Sequence, residues 1–178
     1  MPIAIASARD LTYIESLSKK HAEELGFLTR SAMASYLDRQ RVTLARENGD
    51  PVGYFLTGCA GRRLRIFQAC VQMDARGLGH ARDLLTDLIA RAATAGTSRI
   101  TLHCRDGLES NGFWSACGFT SAGLLFGGGA RRKLIHEWQI DIADALGNPA
   151  LPYARGFFHS LRLRAEEGAS QDASPRLP

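Results

Sequence analysis

The sequence predicts one α/β domain with a mixed, mostly antiparallel sheet flanked by helices, and three observations carry that expectation. The dipeptide Asn48-Gly49 separates the apolar runs 42–45 and 52–59, as in a β-hairpin. Residues 64–104 read as strand, helix, strand, with Leu84, Leu85, Leu88, Ile89 and Ala92 on one helix face. Leu134, His136, Trp138, Ile140 and Ile142 alternate with other residues, as in a strand half buried on one side. A length of 178 residues with 45% hydrophobic and 22% charged content fits one ordinary domain. It excludes a wholly disordered chain, a collagen-like repeat and a disulfide miniprotein.

Taken in order, residues 2–6 form a short strand, and Leu11, Ile14, Leu17, His21 and Leu25 recur at helical spacing until Gly26. Residues 32–41 give a second short helix before the hairpin, and Gly61-Arg62 turns into a long β-branched and aromatic strand, Leu64 to Met73. The helix from Ala81 ends at Gly96, and residues 98–104 return as a strand parallel to the previous one through a right-handed crossover. A short helix near 109–117, a strand from Gly118-Phe119, a turn at Gly127-Gly128-Gly129 and the last strand follow. The pattern is lost after Asp144, so the expected domain is 1–143 and the expected C-terminal extension is 144–178. That extension is expected to be partly disordered, from about Glu166, while Phe157, Phe158 and Leu161 are apolar enough to pack back.

Charge and cysteine content narrow the chemistry. The net charge of +4 suits an anionic ligand, but basic and acidic residues alternate too evenly to indicate nucleic-acid binding. Cys59, Cys70, Cys104 and Cys117 stand far apart within apolar runs, which predicts buried, reduced thiols and neither a zinc site nor a disulfide framework. With no apolar run near the roughly 20 residues of a membrane helix and no leader-like N-terminus, the expected location is cytoplasmic.

The junction Val71-Gln72-Met73-Asp74-Ala75-Arg76-Gly77-Leu78-Gly79-His80-Ala81 joins a strand end to a helix start, where N–H groups lack intrahelical partners and the dipole is positive. Gly77 and Gly79 admit a close anion, and Ala81 is small; a turn that merely uses glycine is the alternative. A Walker loop needs Gly-Lys-Ser/Thr, and a Rossmann turn wants a small residue where Arg82 stands. What remains, Arg76-x-x-Gly79-x-Ala81, resembles the Q/R-x-x-G-x-G/A signature of the GCN5-related N-acetyltransferase (GNAT) superfamily. Asn111-Gly112-Phe113-Trp114-Ser115-Ala116-Cys117-Gly118-Phe119 is similar to that family's later N-x-F-W/Y-x-x-x-G-F motif, in the right order and spacing.

The resemblance covers residues 2 to about 143 and implies a GNAT-type sheet whose central parallel strands splay. It implies acetyl-CoA or a related acyl-CoA as donor, its pyrophosphate on the N–H groups of Gly77, Leu78, Gly79, His80 and Ala81 beside Arg76. The pantetheine arm would pair with Val71 and Met73 as an added strand, and an N–H near Val71 would polarise the thioester oxygen. Trp114 stands where many members have a tyrosine acid; indole cannot supply that proton, so Trp114 is read as a wall and water as the acid. Asn111 either bonds the arm or caps the short helix.

Gln68 lies on the strand where members often carry a glutamate base, which leaves His103, Asp106 and Glu109. His103 is nominated, with Glu109 behind it, and His80 is assigned to CoA contact. Gly127 to Lys133 is either a solvated loop or a cationic lip of the acceptor cleft. The implied reaction is acetyl transfer to an amine by direct attack in a ternary complex, since no cysteine stands in a nucleophile setting. The acceptor is a small-molecule amine or a protein amine, and a homodimer is an admitted assembly. Transfer of a longer acyl group and a non-catalytic acyl-CoA-binding module are the rivals. A nucleic-acid reading on Arg131 to Lys133 with Arg155, Arg162 and Arg164 lacks interleaved aromatics.

Overall fold

A computed structural model describes residues 3–127, 133–148 and 150–151. The expectations for Gly128, Gly129, Arg131, Arg132 and the tail from 152 onward, with its Phe157, Phe158, Leu161, Arg155, Arg162 and Arg164, lie outside the described residues. The strands are β1 (Ile3–Ile5), β2 (Val42–Glu47), β3 (Asp50–Ala60), β4 (Arg63–Val71), β5 (Arg99–Arg105), β6 (Thr120–Phe126) and β7 (Leu134–Asp141). The helices are α1 (Leu11–Lys20), α2 (Ala22–Leu25), α3 (Arg30–Asp38), α4 (His80–Thr94), α5 (Ser110–Ala116) and α6 (Ile142–Gly147). One sheet runs β1-β2-β3-β4-β5-β7-β6, antiparallel throughout except for β4 beside β5. This is the mixed, mostly antiparallel arrangement expected from the sequence.

Three boundaries differ from expectation. The first helix breaks at His21, whose φ of −115° and ψ of 25° leave the helical range, and restarts as α2, so Leu25 keeps its place in the apolar spacing from another helix. The central strand ends at Val71, and Met73 falls in a 3-10 turn, Met73–Ala75. Residues 142–147 form α6, with Ile142 and Ala145 buried against the core beneath α4, so ordered structure runs past residue 143. The expected burial holds for Cys70, Cys104 and Cys117; Cys59 is exposed, its sulfur 2.9 Å from Arg41 Nη1.

The sheet separates two apolar cores. On one side Leu84, Leu85, Leu88, Ile89 and Ala92 of α4 meet Phe55, Ile66, Leu102 and Trp114; on the other Ile14, Leu17, Met33 and Leu37 of α1 and α3 meet Leu44, Tyr54 and Leu56. Strand β4 serves both because it contains a β-bulge. Thr57 pairs with Ile66 and Leu56 with Gln68, which makes Phe67 the extra residue. Before the bulge Leu64 and Ile66 face α4; after it Ala69 and Val71 do, while Gln68 and Cys70 turn to the other core. The Phe67 ring lies edge-on to Tyr36 with centroids 5.9 Å apart, over a spot kept open by Gly58, where a Cβ would come within 2.5 Å of Phe67 Cε2.

A bulge bends its strand and increases its twist. The consequence is immediate: the parallel ladder between β4 and β5 runs from Arg63–Arg99 to Ile66–Leu102 and stops one residue before Phe67. Beyond that rung the two central strands diverge.

Candidate functional site

The gap between β4 and β5 opens at the start of α4. Gly77 and Gly79 adopt φ values of 79° and 95°, which favour glycine, and the space where their Cβ atoms would stand is empty. Among the described residues the N–H groups of 77–82 donate to no backbone or side-chain acceptor, and they form a cradle at the positive end of a fifteen-residue helix, a place suited to an anion. The cradle leads into a cavity of about 630 Å³ lined by both strands, the loop before α5 and Trp114.

The β4 edge of this cavity is prepared for backbone pairing. Gln72 N–H bonds the Val52 carbonyl on β3 at 2.9 Å, so in the alternating antiparallel pattern the N–H and C=O of Val71 turn the other way, into the gap. Arg76 Nε already donates to that Val71 carbonyl, at 3.3 Å.

Most of the anticipated donor-binding residues meet here: Val71, Arg76, Gly77, Gly79, His80, Ala81 and Trp114 line the cavity. Met73 and Leu78 do not; their side chains are 72% and 59% exposed away from it, and Leu78 contributes only its N–H. The strand pairing assigned to Met73 is therefore corrected, because the chain has already left β4. Asn111 is corrected too. Its Nδ2 donates to the carbonyls of Arg105 and Leu108 at 2.9 and 3.0 Å, and its Oδ1 accepts from Trp138 Nε1 at 2.9 Å. It ties the β5–α5 loop to β7, and neither reaches the gap nor accepts the N–H bond of a helix cap.

His80 begins α4 with 1% exposure, its ring under the helix and both ring nitrogens without a hydrogen bond. Glu47 Oε2 is 3.8 Å from its Nε2. Its imidazole is thus a buried group, and only its backbone belongs to the cradle. Trp114 is 4% exposed and sits among Phe55, Phe113 and Phe119, a rigid aromatic wall.

His103 points to the sheet face opposite Ile100, Leu102 and Cys104, and lines the cavity. Arg65 Nη2 is 2.7 Å from its Nδ1, and since a guanidinium only donates, Nδ1 carries the lone pair and Nε2 the proton. Nε2 lies 3.8 Å from Glu137 Oε1. Burial first, and the Arg65 charge second, hold the His103 pKa below its ordinary range against the opposing pull of Glu137. Glu109 lines the cavity at the start of α5, and Asp106 is engaged by His136 at 2.8 Å. Gln68 accepts from Tyr54 Oη at 2.8 Å in the α1 core, a structural amide where a base would otherwise stand. Burial lifts the Cys70 thiol to about 11 and raises Cys104, so neither is a ready nucleophile. Sequence reasoning missed Glu24 as a lining residue, because α2 reads as the last turn of α1 and carries no motif; Arg105, which shares a strand face with His103, lines the cavity as well.

Comparison with known proteins gives the same class. Residues 13–126 match the family model described as an acetyltransferase (GNAT) domain. Among solved structures, Ard1 from Thermoplasma volcanium superposes with a TM-score of 0.72 at 16% identity, over 79% of this chain and 96% of that one. The ribosomal-protein-S18-alanine N-acetyltransferase from Escherichia coli gives 0.68 at 18% identity, over 79% and 93%. The Salmonella typhimurium yncA structure with its cofactor acetyl-CoA gives 0.67 at 20% identity, over 80% and 94%. No curated protein matches. The chain belongs to the GNAT acetyltransferase family. Among the described residues no helix is long and apolar enough to cross a membrane.

Proposed function

We propose that this chain transfers an acetyl group from acetyl-CoA to a primary amine by direct attack in a ternary complex. One observation carries the reading: the unbonded N–H groups at the α4 start and the opening between β4 and β5 meet at the same end of the sheet. Acetyl-CoA has a charged pyrophosphate and an extended amide-bearing arm, and the two features suit those two parts. The cradle of 77–82 takes the pyrophosphate with Arg76 and Arg82 beside it, and the arm pairs along the Ala69–Val71 edge. An N–H turned into the gap, that of Val71, then polarises the thioester oxygen as negative charge develops on it.

The acceptor approaches from the β5 side. His103, neutral because its pKa is lowered, takes the amine's proton at Nδ1, directly or through one water, once Arg65 withdraws from that nitrogen. Glu109, a carboxylate lining the same cavity, is the second choice. No side chain at Trp114 protonates the departing thiolate, and with a solution pKa near 8.5 it needs only water. Calorimetry with acetyl-CoA and a thiol-release assay over an amine panel test the reading. Gly79→Val, which strains φ at 95° and fills the cradle, weakens acetyl-CoA binding about tenfold or more. Unchanged affinity in a folded variant overturns the cradle; binding with no thiol release from any amine leaves an acyl-CoA-binding module instead.

A further inference from the structure

On the sheet face opposite α4, Arg63 and Arg65 of β4, His103 and Arg105 of β5 and Glu137 of β7 stand together. The strands on either side of His103 each bring a charge to its ring. Arg65 Nη2 lies 2.7 Å from Nδ1 on the β4 side, and Glu137 Oε1 lies 3.8 Å from Nε2 on the β7 side. Arg76, Arg82, Arg105, Glu24 and Glu109 line the same cavity, yet only Arg65 and Glu137 are among the charges acting on the ring.

Arg65 is held differently from most arginines of this fold. Arg46, Arg91 and Arg99 are each fastened by a carboxylate, that of Asp10, Asp87 and Asp141. Among the described residues no carboxylate lies within 4 Å of Arg63, Arg65 or Arg105; Arg105 donates to the Glu23 carbonyl, and Arg65 to an uncharged imidazole. The Arg65 guanidinium carbon rests 5.4 Å from the centroid of the Phe67 ring, which is 45% exposed. Phe67 is the bulge residue, so the distortion that opens the strands also supplies this perch.

A guanidinium donating to Nδ1 occupies the lone pair that a base must offer. A carboxylate reaching this face would make a charge-assisted, two-pronged bond with Arg65, stronger than the bond to a neutral ring nitrogen. Resting on the reading of His103 as the base, we propose that Arg65 is a specificity-determining residue: it caps Nδ1 in the free protein and leaves it for an anionic group carried by the acceptor. The site thereby favours amines that also bear a carboxylate over plain alkylamines. With Nδ1 uncovered, the acceptor's ammonium gives its proton to that nitrogen and keeps the electron pair that attacks the thioester. The imidazolium so formed has its Nε2–H toward the Glu137 carboxylate, which opposes its charge.

The ring itself reports the cap. In protein labelled with 15N-histidine and loaded with CoA, the titration midpoint of His103 is followed by NMR, its signal identified by its loss in His103→Gln. Glycine, 3-aminopropionate and 4-aminobutyrate are added in turn, with n-butylamine as the uncharged-tail control. At least one amino carboxylate should raise the midpoint, since the lowering effect of Arg65 is drawn off, and n-butylamine should not. In Arg65→Met the midpoint should start higher and respond to neither. In thiol release the best amino carboxylate should exceed n-butylamine about tenfold or more in kcat/KM. Arg65→Met should shrink that ratio to within about twofold and raise the value for n-butylamine, while Arg65→Lys keeps part of the preference. An equal ratio in wild type and Arg65→Met, no preference in the wild type, or a parallel loss for both amines overturns the proposal. So does a midpoint raised as far by CoA alone, because the donor's phosphates would then be the anion that draws Arg65 away. A midpoint that answers amino carboxylates through Arg65 in a protein that releases no thiol sustains the cap and removes the transfer reaction.

Discussion

His80 stands where the cradle turns into α4, yet its ring makes no hydrogen bond and faces Glu47 only at 3.8 Å. An orphaned polar group inside a protein costs about 1–3 kcal/mol relative to an apolar one of similar shape. His80→Leu should accordingly raise stability by about 1 kcal/mol in urea unfolding, and a loss of stability would show that the ring has a partner in solution. His103 has the opposite character, with every ring nitrogen facing a charged neighbour. Its pKa is lowered when folded, so the unfolded chain binds the extra proton between that value and about 6.5. The stability linked to His103 is complete above about pH 6.5 and is lost as pH falls through the folded value. The rate should therefore climb on a limb below about pH 6.5, and His103→Gln should abolish that limb while acetyl-CoA affinity persists; an unaltered profile would move the base to Glu109 or water. At this scale the sequence pointed to Gly77, Gly79 and Ala81, which line the cavity, because the backbone shape of a strand-to-helix turn is written in their spacing. It did not disclose the tie that Asn111 makes between the β5–α5 loop and β7, nor the place of Glu24 on the cavity wall, which depend on a loop closure and a helix break that no local spacing encodes.

Strand β4 shows why an element can be recognised and still be misread. Its burial alternates regularly from Leu64 to Cys70, so it reads as one strand with one buried face. The regularity hides a change of side at Phe67, since Gln68 and Cys70 are buried in the other core. Deleting Phe67 would keep the pairings Thr57–Ile66 and Leu56–Gln68 while making the ladder continuous, so both faces would stay correct. Such a protein should fold, but its β4 should run straighter beside β5, and acetyl-CoA affinity should fall about tenfold or more by calorimetry. Retained affinity would mean that the opening has another cause. Helix α4 was legible because its stripe is long and uninterrupted. Helix α6 was not: Ile142 continues the alternation of β7, and the helix has too few residues to establish a period of its own.

For the molecule as a whole, the element order, the hairpins and the parallel pair followed from apolar periodicity and turn residues, and the comparisons with known folds agree. What periodicity cannot convey is how few rungs join the two halves of the sheet. β1 to β4 on one side and β5 to β7 on the other are joined through the four register pairs from Arg63–Arg99 to Ile66–Leu102, with α4 spanning above. A ligand that binds this gap in the folded state stabilises it by mass action, about 2.7 kcal/mol at a concentration one hundred times its Kd. The opening also has a signature in hydrogen–deuterium exchange. Strands in the middle of a sheet ordinarily protect their amides longest. The Val71 amide, on a strand with neighbours on both sides, instead points into the gap, so it should exchange as quickly as an amide on an outer rim. Addition of acetyl-CoA should slow it selectively, leaving the Arg63–Ile66 amides unchanged; slow exchange without ligand would mean that the two strands close in solution.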